Sequence, residues 1–468
     1  KYNQIFFSYF LIDQIIKKKN VKNIYVSGWE NFTNDINKFN NNYYLTTIVN
    51  EYFKERVKIL SIEKNKNENV LDNCYNYSLS PFVDTKKKKI IITSRGYNIY
   101  RIILVSLFLR YSVYIISENN VNFFIKNISK FFGINFLIFK KREINKVLNF
   151  YIKDINFTFE NINFSNLLNL SKKYFELKLT DTYYKSQSIK KLLQENKIDL
   201  VVSVIARGYQ GSAVDYAKKL KIKTLGITHG TISKNFNKID KIYKKIISEA
   251  VFSKNYDFFP LQTKITSEAA ETHSLPKLNL KTGNLIFAEN FLKFGKKNKI
   301  LYAVTNKNFN QMHFHGVELF FEFYKNLELL NDLAKSNGYE ILVNLHPSVS
   351  NYSLENLKQL FKNLSFTKKK ISSCLKKAFV TISYSSTVIE DSICSDVPVI
   401  LFDNWNRYKH CESENKFFDR NKPIYYVTSL NNLKICIENI KNKETDFSDI
   451  KYGSNCFKNI YSLLNKII

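Results

Sequence analysis

Ala378-Phe379-Val380-Thr381-Ile382-Ser383-Tyr384-Ser385-Ser386-Thr387-Val388-Ile389-Glu390-Asp391, followed by Val397-Pro398-Val399-Ile400, decides how this chain folds. An apolar, β-branched run reads as a buried strand over Ala378–Ser383. A hydroxyl-rich turn stops it and opens a helix, and Pro398 marks the start of the next strand. Two strands joined through a helix are parallel, because antiparallel neighbours need only a tight turn. The same alternation recurs along the chain. Strands are expected at Lys89–Thr93, Ser112–Ser117, Ile134–Phe139, Ile198–Ile205 and Thr224–Thr228, then at Ile300–Val304, Glu340–Leu345 and Val399–Phe402. Helical stretches fall between them at Tyr100–Arg110, Ala213–Leu220, Val317–Lys335 and Leu354–Leu360. Continuous apolar strands alternating with helices predict an α/β fold with parallel sheets covered on both faces.

Two such sheets are expected, consistent with 468 residues at roughly 100–200 per domain. The first domain is placed at 85–290. The polar stretch Phe294-Gly295-Lys296-Lys297-Asn298 reads as a linker, and the second domain at 299–430 follows it. Residues 1–84 form an extension, with a strand-like piece at Asn23–Ser27, expected to pack on the first domain. Residues 140–195 read as a helical, Lys/Asn-rich insertion. The helical end, 431–468, is expected to fold back over the first domain. The sequence opens on Lys1 rather than Met, so a stretch of natural N-terminus is expected ahead of it; no signal peptide is recognisable.

Lys and Arg total 71 against 41 Asp and Glu, a formal net charge of +30. Attraction to nucleic acid or to an anionic membrane would use such a charge. Only eight of these residues are Arg, whereas base readers lean on Arg forks, and Lys, Asn, Ile, Tyr and Phe all have A/T-rich codons. A compositional origin therefore competes with a functional one, and nucleic acid is disfavoured as a partner. A hydrophobic share of 44% excludes a wholly disordered chain. The longest apolar run, Ile102–Leu109, is far short of the roughly 20 residues of a spanning helix. The six cysteines form no C-x-x-C pair and are expected as buried thiols in a reducing compartment.

Polar residues at the ends of apolar strands carry the functional signal. In Asn344-Leu345-His346-Pro347, the proline stops the ladder and His346 projects from the strand's carboxyl end. It reads as a phosphate or base donor, or as a strand cap. Ser385, Ser386 and Thr387 with helix-start amides make an anion site, or a plain helix cap. Glu390, one turn on, suits the hydroxyls of a ribose. Gly226-Ile227-Thr228-His229-Gly230 ends another strand, with Gly230 allowing a tight turn beside His229. Arg207-Gly208-Tyr209-Gln210-Gly211 and Ser94-Arg95-Gly96 are weaker anion-nest candidates. His313-Phe314-His315 makes a poor metal site, and no P-loop lysine, G-x-S-x-G or H-E-x-x-H pattern occurs. Asp403, Trp405 and Arg407 follow a strand and read as site-lining or as surface loop.

These residues give the chain a resemblance. His346-Pro347 and Ser385-Ser386-Thr387 resemble the HP and SS/ST motifs of bacterial sialyl- and Kdo-type transferases, which are GT-B glycosyltransferases of surface-polysaccharide (capsule and lipopolysaccharide) biosynthesis. Ser386 to Glu390 with Val397-Pro398-Val399-Ile400 is similar to the wider GT-B donor domain. Thr228-His229-Gly230 and Lys281-Thr282-Gly283-Asn284 resemble turns of the first domain in that group. The acidic D/E-D/E-G motif is not recognisable, Asp396 stands where Gly is usual, and Leu285 stands where Pro is usual. The resemblance implies two Rossmann-like domains facing a cleft, the first binding acceptor and the second donor. It implies a nucleotide-sugar donor, such as a CMP-linked Kdo or sialic-acid-like sugar, and a glycan or lipid-linked acceptor. It assigns His229 as catalytic base and His346, Pro347, Ser385, Ser386, Thr387 and Glu390 to donor phosphate and nucleotide. Arg207, Gly230, Arg95 and Asn344 become substrate contacts. No metal or other cofactor is expected, and the location is cytoplasmic, peripheral to the membrane. A polyol-phosphate transferase of the teichoic-acid type, a nucleotide-sugar 2-epimerase and a basic non-enzyme binding nucleic acid or membrane are the alternatives.

Overall fold

The structure is a computed structural model that describes residues 2–28, 48–49, 51–64, 74–80, 82, 86–94, 96, 98–118, 121–144, 148, 156–159, 161–165, 172–227, 236, 241, 255–272, 279–289, 297–304, 320–346, 349, 351–406, 408–415, 422–453 and 455–468. The chain divides into two compact units.

In one unit, Lys1–Ser78 joins Lys140–Ser188. A helix at Tyr2–Lys19 is followed by two parallel strands, Asn23–Gly28 and Lys58–Lys64. A short antiparallel pair, Thr158–Phe159 with Ile162–Asn163, comes from the second segment. The core is aromatic: Tyr9, Ile16, Ile48, Phe53, Val57 and Phe164 are buried together. The Tyr9 ring stacks on Phe53 at 5.1 Å and meets Phe164 edge-on at 5.3 Å. The two segments thus build one core, although they are far apart in sequence and neither reads as a domain alone.

The other unit comprises Leu79–Phe139, Ile189–Phe309 and His315–Ile468 and contains two parallel sheets. Its first part runs β1 (Lys89–Ile92), α1 (Tyr100–Phe108), β2 (Ser112–Ser117), α2 (Phe123–Phe131), β3 (Ile134–Ile144), β4 (Leu200–Ser203), α3 (Gly208–Lys219), β5 (Lys223–Gly226), β6 (Phe259–Leu261), α4 (Lys264–Thr272) and β7 (Asn279–Lys281). Hydrogen-bonded neighbours follow the order β3-β2-β1-β4-β5. A parallel bridge from Leu225 to Phe258 extends the sheet to β6, which pairs with β7.

The second part runs β8 (Lys299–Ala303), α5 (Phe320–Asn337), β9 (Glu340–Asn344), α6 (Asn351–Leu360), β10 (Leu364–Thr367), α7 (Ile371–Leu375), β11 (Ala378–Ser383), α8 (Val388–Cys394), β12 (Val399–Phe402), β13 (Ile424–Val427), α9 (Leu430–Asn442) and α10 (Cys456–Ile467). Its sheet order is β10-β9-β8-β11-β12-β13. Counted within each part, the second sheet reads 3-2-1-4-5-6 and the first contains the run 3-2-1-4-5, the doubly wound order of a Rossmann-like domain. The fold is therefore α/β with two such domains, the GT-B architecture. β2, β11 and β12 have the bounds expected from sequence, because nearly all their residues are buried.

Ile460, Leu463, Leu464 and Ile467 of α10 enter the first core beside Ile90, Ile92, Ile102 and Val105. Lys88 Nζ donates to the Ile468 carbonyl at 3.1 Å and Lys223 Nζ to that of Ile467 at 2.6 Å, so two cations neutralise the negative end of the helix. At the other end, the backbone amides of Asn455 and Cys456 donate to the Glu289 carboxylate at 2.6 and 3.1 Å.

Candidate functional site at the strand ends

In doubly wound sheets, ligands bind beyond the carboxyl ends of the strands, where the strand order reverses. Helices on the two sides of that point diverge and leave a crevice. In the second sheet the reversal lies between β8 and β11. Ser383, the last residue of β11, donates its hydroxyl to the Ala303 carbonyl at the end of β8, 3.2 Å away, and ties the two strands at the crevice floor. Tyr384 then leads into Ser385-Ser386-Thr387, which are half-buried. The Ser386 hydroxyl accepts from the Val388 amide at 3.3 Å and its carbonyl from the Ile389 amide at 3.1 Å. The hydroxyl-rich turn expected from sequence is formed, at the reversal point.

His346 is half-buried just beyond β9, two strands from β11, roughly 10 Å by sheet spacing. Its carbonyl accepts from the Val349 amide at 3.0 Å, holding the turn that follows. Asn344 Nδ2 donates to the Lys369 carbonyl at 3.0 Å, so this side chain fastens the end of β9 to the segment before α7.

Glu390 has a different setting from the one expected. It is 1% exposed, and one of its oxygens, Oε1, accepts from both Thr263 Oγ1 at 2.6 Å and Thr266 Oγ1 at 2.8 Å. Next to it, buried Asp391 accepts from the Ala288 amide at 2.6 Å, and Ser395 Oγ donates to the Ala288 carbonyl at 3.1 Å. Thr263 follows β6 and Ala288 follows β7. The two acids therefore bind the carboxyl edge of the first sheet to the helix that opens at the carboxyl edge of the second. So enclosed, the carboxylate holds the first turn of α8 against Thr263 and Thr266.

Behind the turn, Tyr384 stacks on Tyr408 at 5.6 Å, and the Tyr408 hydroxyl lies 3.0 Å from His410 Nδ1. Asp403 accepts from the Tyr408 amide at 2.6 Å and the Tyr426 hydroxyl at 2.9 Å. Burial first, then the Asp403 charge, raises the Tyr426 phenol, which stays protonated as a donor. Asp403 is thus a buried anchor of the loop after β12, neither site-lining nor surface. Of these supporting residues the sequence singled out only Asp403, and not its role as an anchor. The signal for the others was a hydroxyl or aromatic residue near an apolar run.

In the first sheet the reversal lies between β1 and β4. Thr93 Oγ1 donates to Ser203 Oγ at 2.9 Å, and Ser94 Oγ to Gln210 Oε1 at 3.2 Å. Arg207 is exposed at the start of α3, where its carbonyl accepts from the Gly211 amide at 3.2 Å. A Cβ on Gly211 would lie 2.8 Å from the Ala206 carbonyl oxygen, so packing within the turn accounts for that glycine. His229, Gly230, Arg95, Pro347, His313, His315 and Arg407 lie outside the described residues.

No protein-family model and no curated protein sequence matches the chain. Among solved structures, it is similar to UDP-GlcNAc 2-epimerase from Methanocaldococcus jannaschii at 14% identity, covering 81% of this chain and 99% of that one, with a TM-score of 0.47. A putative UDP-N-acetylglucosamine 2-epimerase from Listeria monocytogenes matches at 11% identity over 81% and 95% of the two chains, TM-score 0.47. The wall teichoic acid polymerase TagF matches at 14% identity over 82% and 88%, TM-score 0.43.

Proposed function

We propose that the protein is a glycosyltransferase that takes a sugar from a nucleotide-activated donor held against the second sheet. The observation that supports this most directly is the half-buried Ser385-Ser386-Thr387 turn at that sheet's reversal point, with His346 two strands away. As the sugar leaves, negative charge develops on the nucleotide phosphate. Hydroxyls, turn amides and an imidazole already fixed around that charge stabilise it more than the ground state. The reaction as proposed takes no metal, since these donors meet the leaving charge. The acceptor, a glycan or lipid-linked glycan of a surface polysaccharide, lies against the first sheet, and His229 takes the proton from its attacking hydroxyl. Glu390 serves by positioning the turn. The work is done at the cytoplasmic side of the membrane that carries the acceptor.

A panel of CMP-, UDP-, GDP- and CDP-linked donors, read by nucleotide release, tests the proposal. One sugar nucleotide is expected to be turned over, with CMP-linked Kdo or sialic-acid-like sugars first in the panel. His346→Ala and Ser386→Ala are expected each to slow that turnover by about 100-fold or more with the melting temperature unchanged. Near-normal release by both variants would sink the assignment. Turnover of a CDP-linked polyol alone would move it to polyol-phosphate transfer.

A further inference from the structure

The helices on one side of the first sheet carry an unusual outer surface. Successive crossovers β1-α1-β2 and β2-α2-β3 move in the same direction across the sheet, so right-handed connections put α1 and α2 on one face. The C-terminal helix α10 packs on that face against α1. Their outward residues are large and apolar. Phe131 is 86% exposed, Phe108 78% and Phe132 60%, joined by Leu104, Ile125, Ile128 and Tyr461. These are neighbours: Phe108 and Tyr461 have ring centroids 6.2 Å apart, and Phe131 and Phe132 meet edge-on at 5.4 Å. A Cβ on Gly133, directly after Phe132, would lie 3.5 Å from Leu107 of α1. Solvating such a cluster costs free energy that a monomer in water ordinarily avoids.

The charges on the same helices have one sign. None of the three contains an Asp or Glu. Lys126 and Lys130 stand between the exposed residues of α2, and Lys458 and Lys466 lie on the outer face of α10. Aromatic and aliphatic side chains interleaved with lysines, without acids, suit a surface that is apolar a few ångströms down and negative at the top. A second copy of the chain would set lysines against lysines on two bodies of +30 each.

We propose that the outer face of α1, α2 and α10 docks on an anionic lipid bilayer. The phenyl rings of Phe108, Phe131 and Phe132 enter the headgroup–acyl boundary, and the lysines pair with lipid phosphates. This docking stands independently of the transferase proposal, since it rests on surface composition alone.

Vesicle flotation with the full chain tests it, comparing phosphatidylglycerol-containing with pure phosphatidylcholine vesicles. The protein is expected to float with the anionic vesicles and to be released by salt. Combined Phe108→Ser, Phe131→Ser and Phe132→Ser, or Lys126→Glu with Lys130→Glu, is expected to lower partitioning by about tenfold or more. The melting temperature and nucleotide release with a soluble acceptor should not move, because these side chains are exposed and outside the strand-end site. Undiminished flotation by both sets, or equal binding to neutral vesicles, overturns the proposal. A concentration-dependent dimer in light scattering that the phenylalanine variant abolishes overturns it too, and gives the face to a second copy.

Discussion

Glu390 is reached by a threonine hydroxyl 127 positions upstream in the chain, and a second one from Thr266 shares the same oxygen. Both bonds are charge-assisted and enclosed, conditions in which losing a donor costs more than the bond's net worth. Thr263→Val keeps the shape and deletes one donor, and Thr266→Val deletes the other. The double variant is expected to lose about 2–4 kcal/mol, read as a lower urea midpoint. Glu390→Gln keeps an acceptor oxygen for both hydroxyls and is expected to cost less than half as much. A double variant that unfolds at the wild-type midpoint would show that the pair contributes nothing. The Ser385–Thr387 turn was legible because its signal is local: hydroxyls directly after an apolar run. The true setting of Glu390 was not, because helical spacing fixes only its near neighbours. Its partners come from the end of another sheet.

Among the elements, the long central strands were readable and the short or edge strands were not. β10, Leu364-Ser365-Phe366-Thr367, has one buried residue, and β6 and β7 have three residues each. β10, an edge strand with one wet face, lacks the apolar run that marks β4, and β6, though buried, is too short to show one. The bounds of β5 were also set by tertiary packing. It ends on Gly226, where a Cβ would come within 2.6 Å of the Tyr256 ring, and that tyrosine is 1% exposed. The ring is enclosed and cannot swing away, so Gly226→Ala overpacks the strand end. A loss of about 1–3 kcal/mol is expected, seen as a drop in melting temperature. Tyr256→Leu in the same chain should recover part of it, because the smaller side chain makes room. Additive losses in that double-variant cycle would place the strain elsewhere.

At the scale of the molecule, the charge of +30 draws attention from a second electrostatic feature, the buried thiols. Cys374, Cys394, Cys411, Cys436 and Cys456 are all buried and outside any disulfide, as the absence of paired spacings suggested. Burial pushes Cys436 up to about 12 from the ordinary 9.0. Burial likewise takes Cys456 to about 12, with Arg101 pulling the other way. Each remains a thiol in the folded chain at a pH where the unfolded chain already holds a thiolate. Their contribution to stability is therefore complete below pH 9 and is lost as the pH climbs toward 12. In the unfolded chain the thiols ionise from an ordinary 9.0, below the ordinary 10.0 of tyrosine, so their loss of stability begins in the interval between pH 9 and 10. Melting temperature is expected to fall through that interval. Cys436 lies in the core of the second sheet, while Cys456 begins the helix that returns to the first. Cys436→Val and Cys456→Val, singly and together, should flatten the fall stepwise while leaving the value at pH 7 little changed. Equal slopes in all four proteins would remove Cys436 and Cys456 from the alkaline stability of this chain.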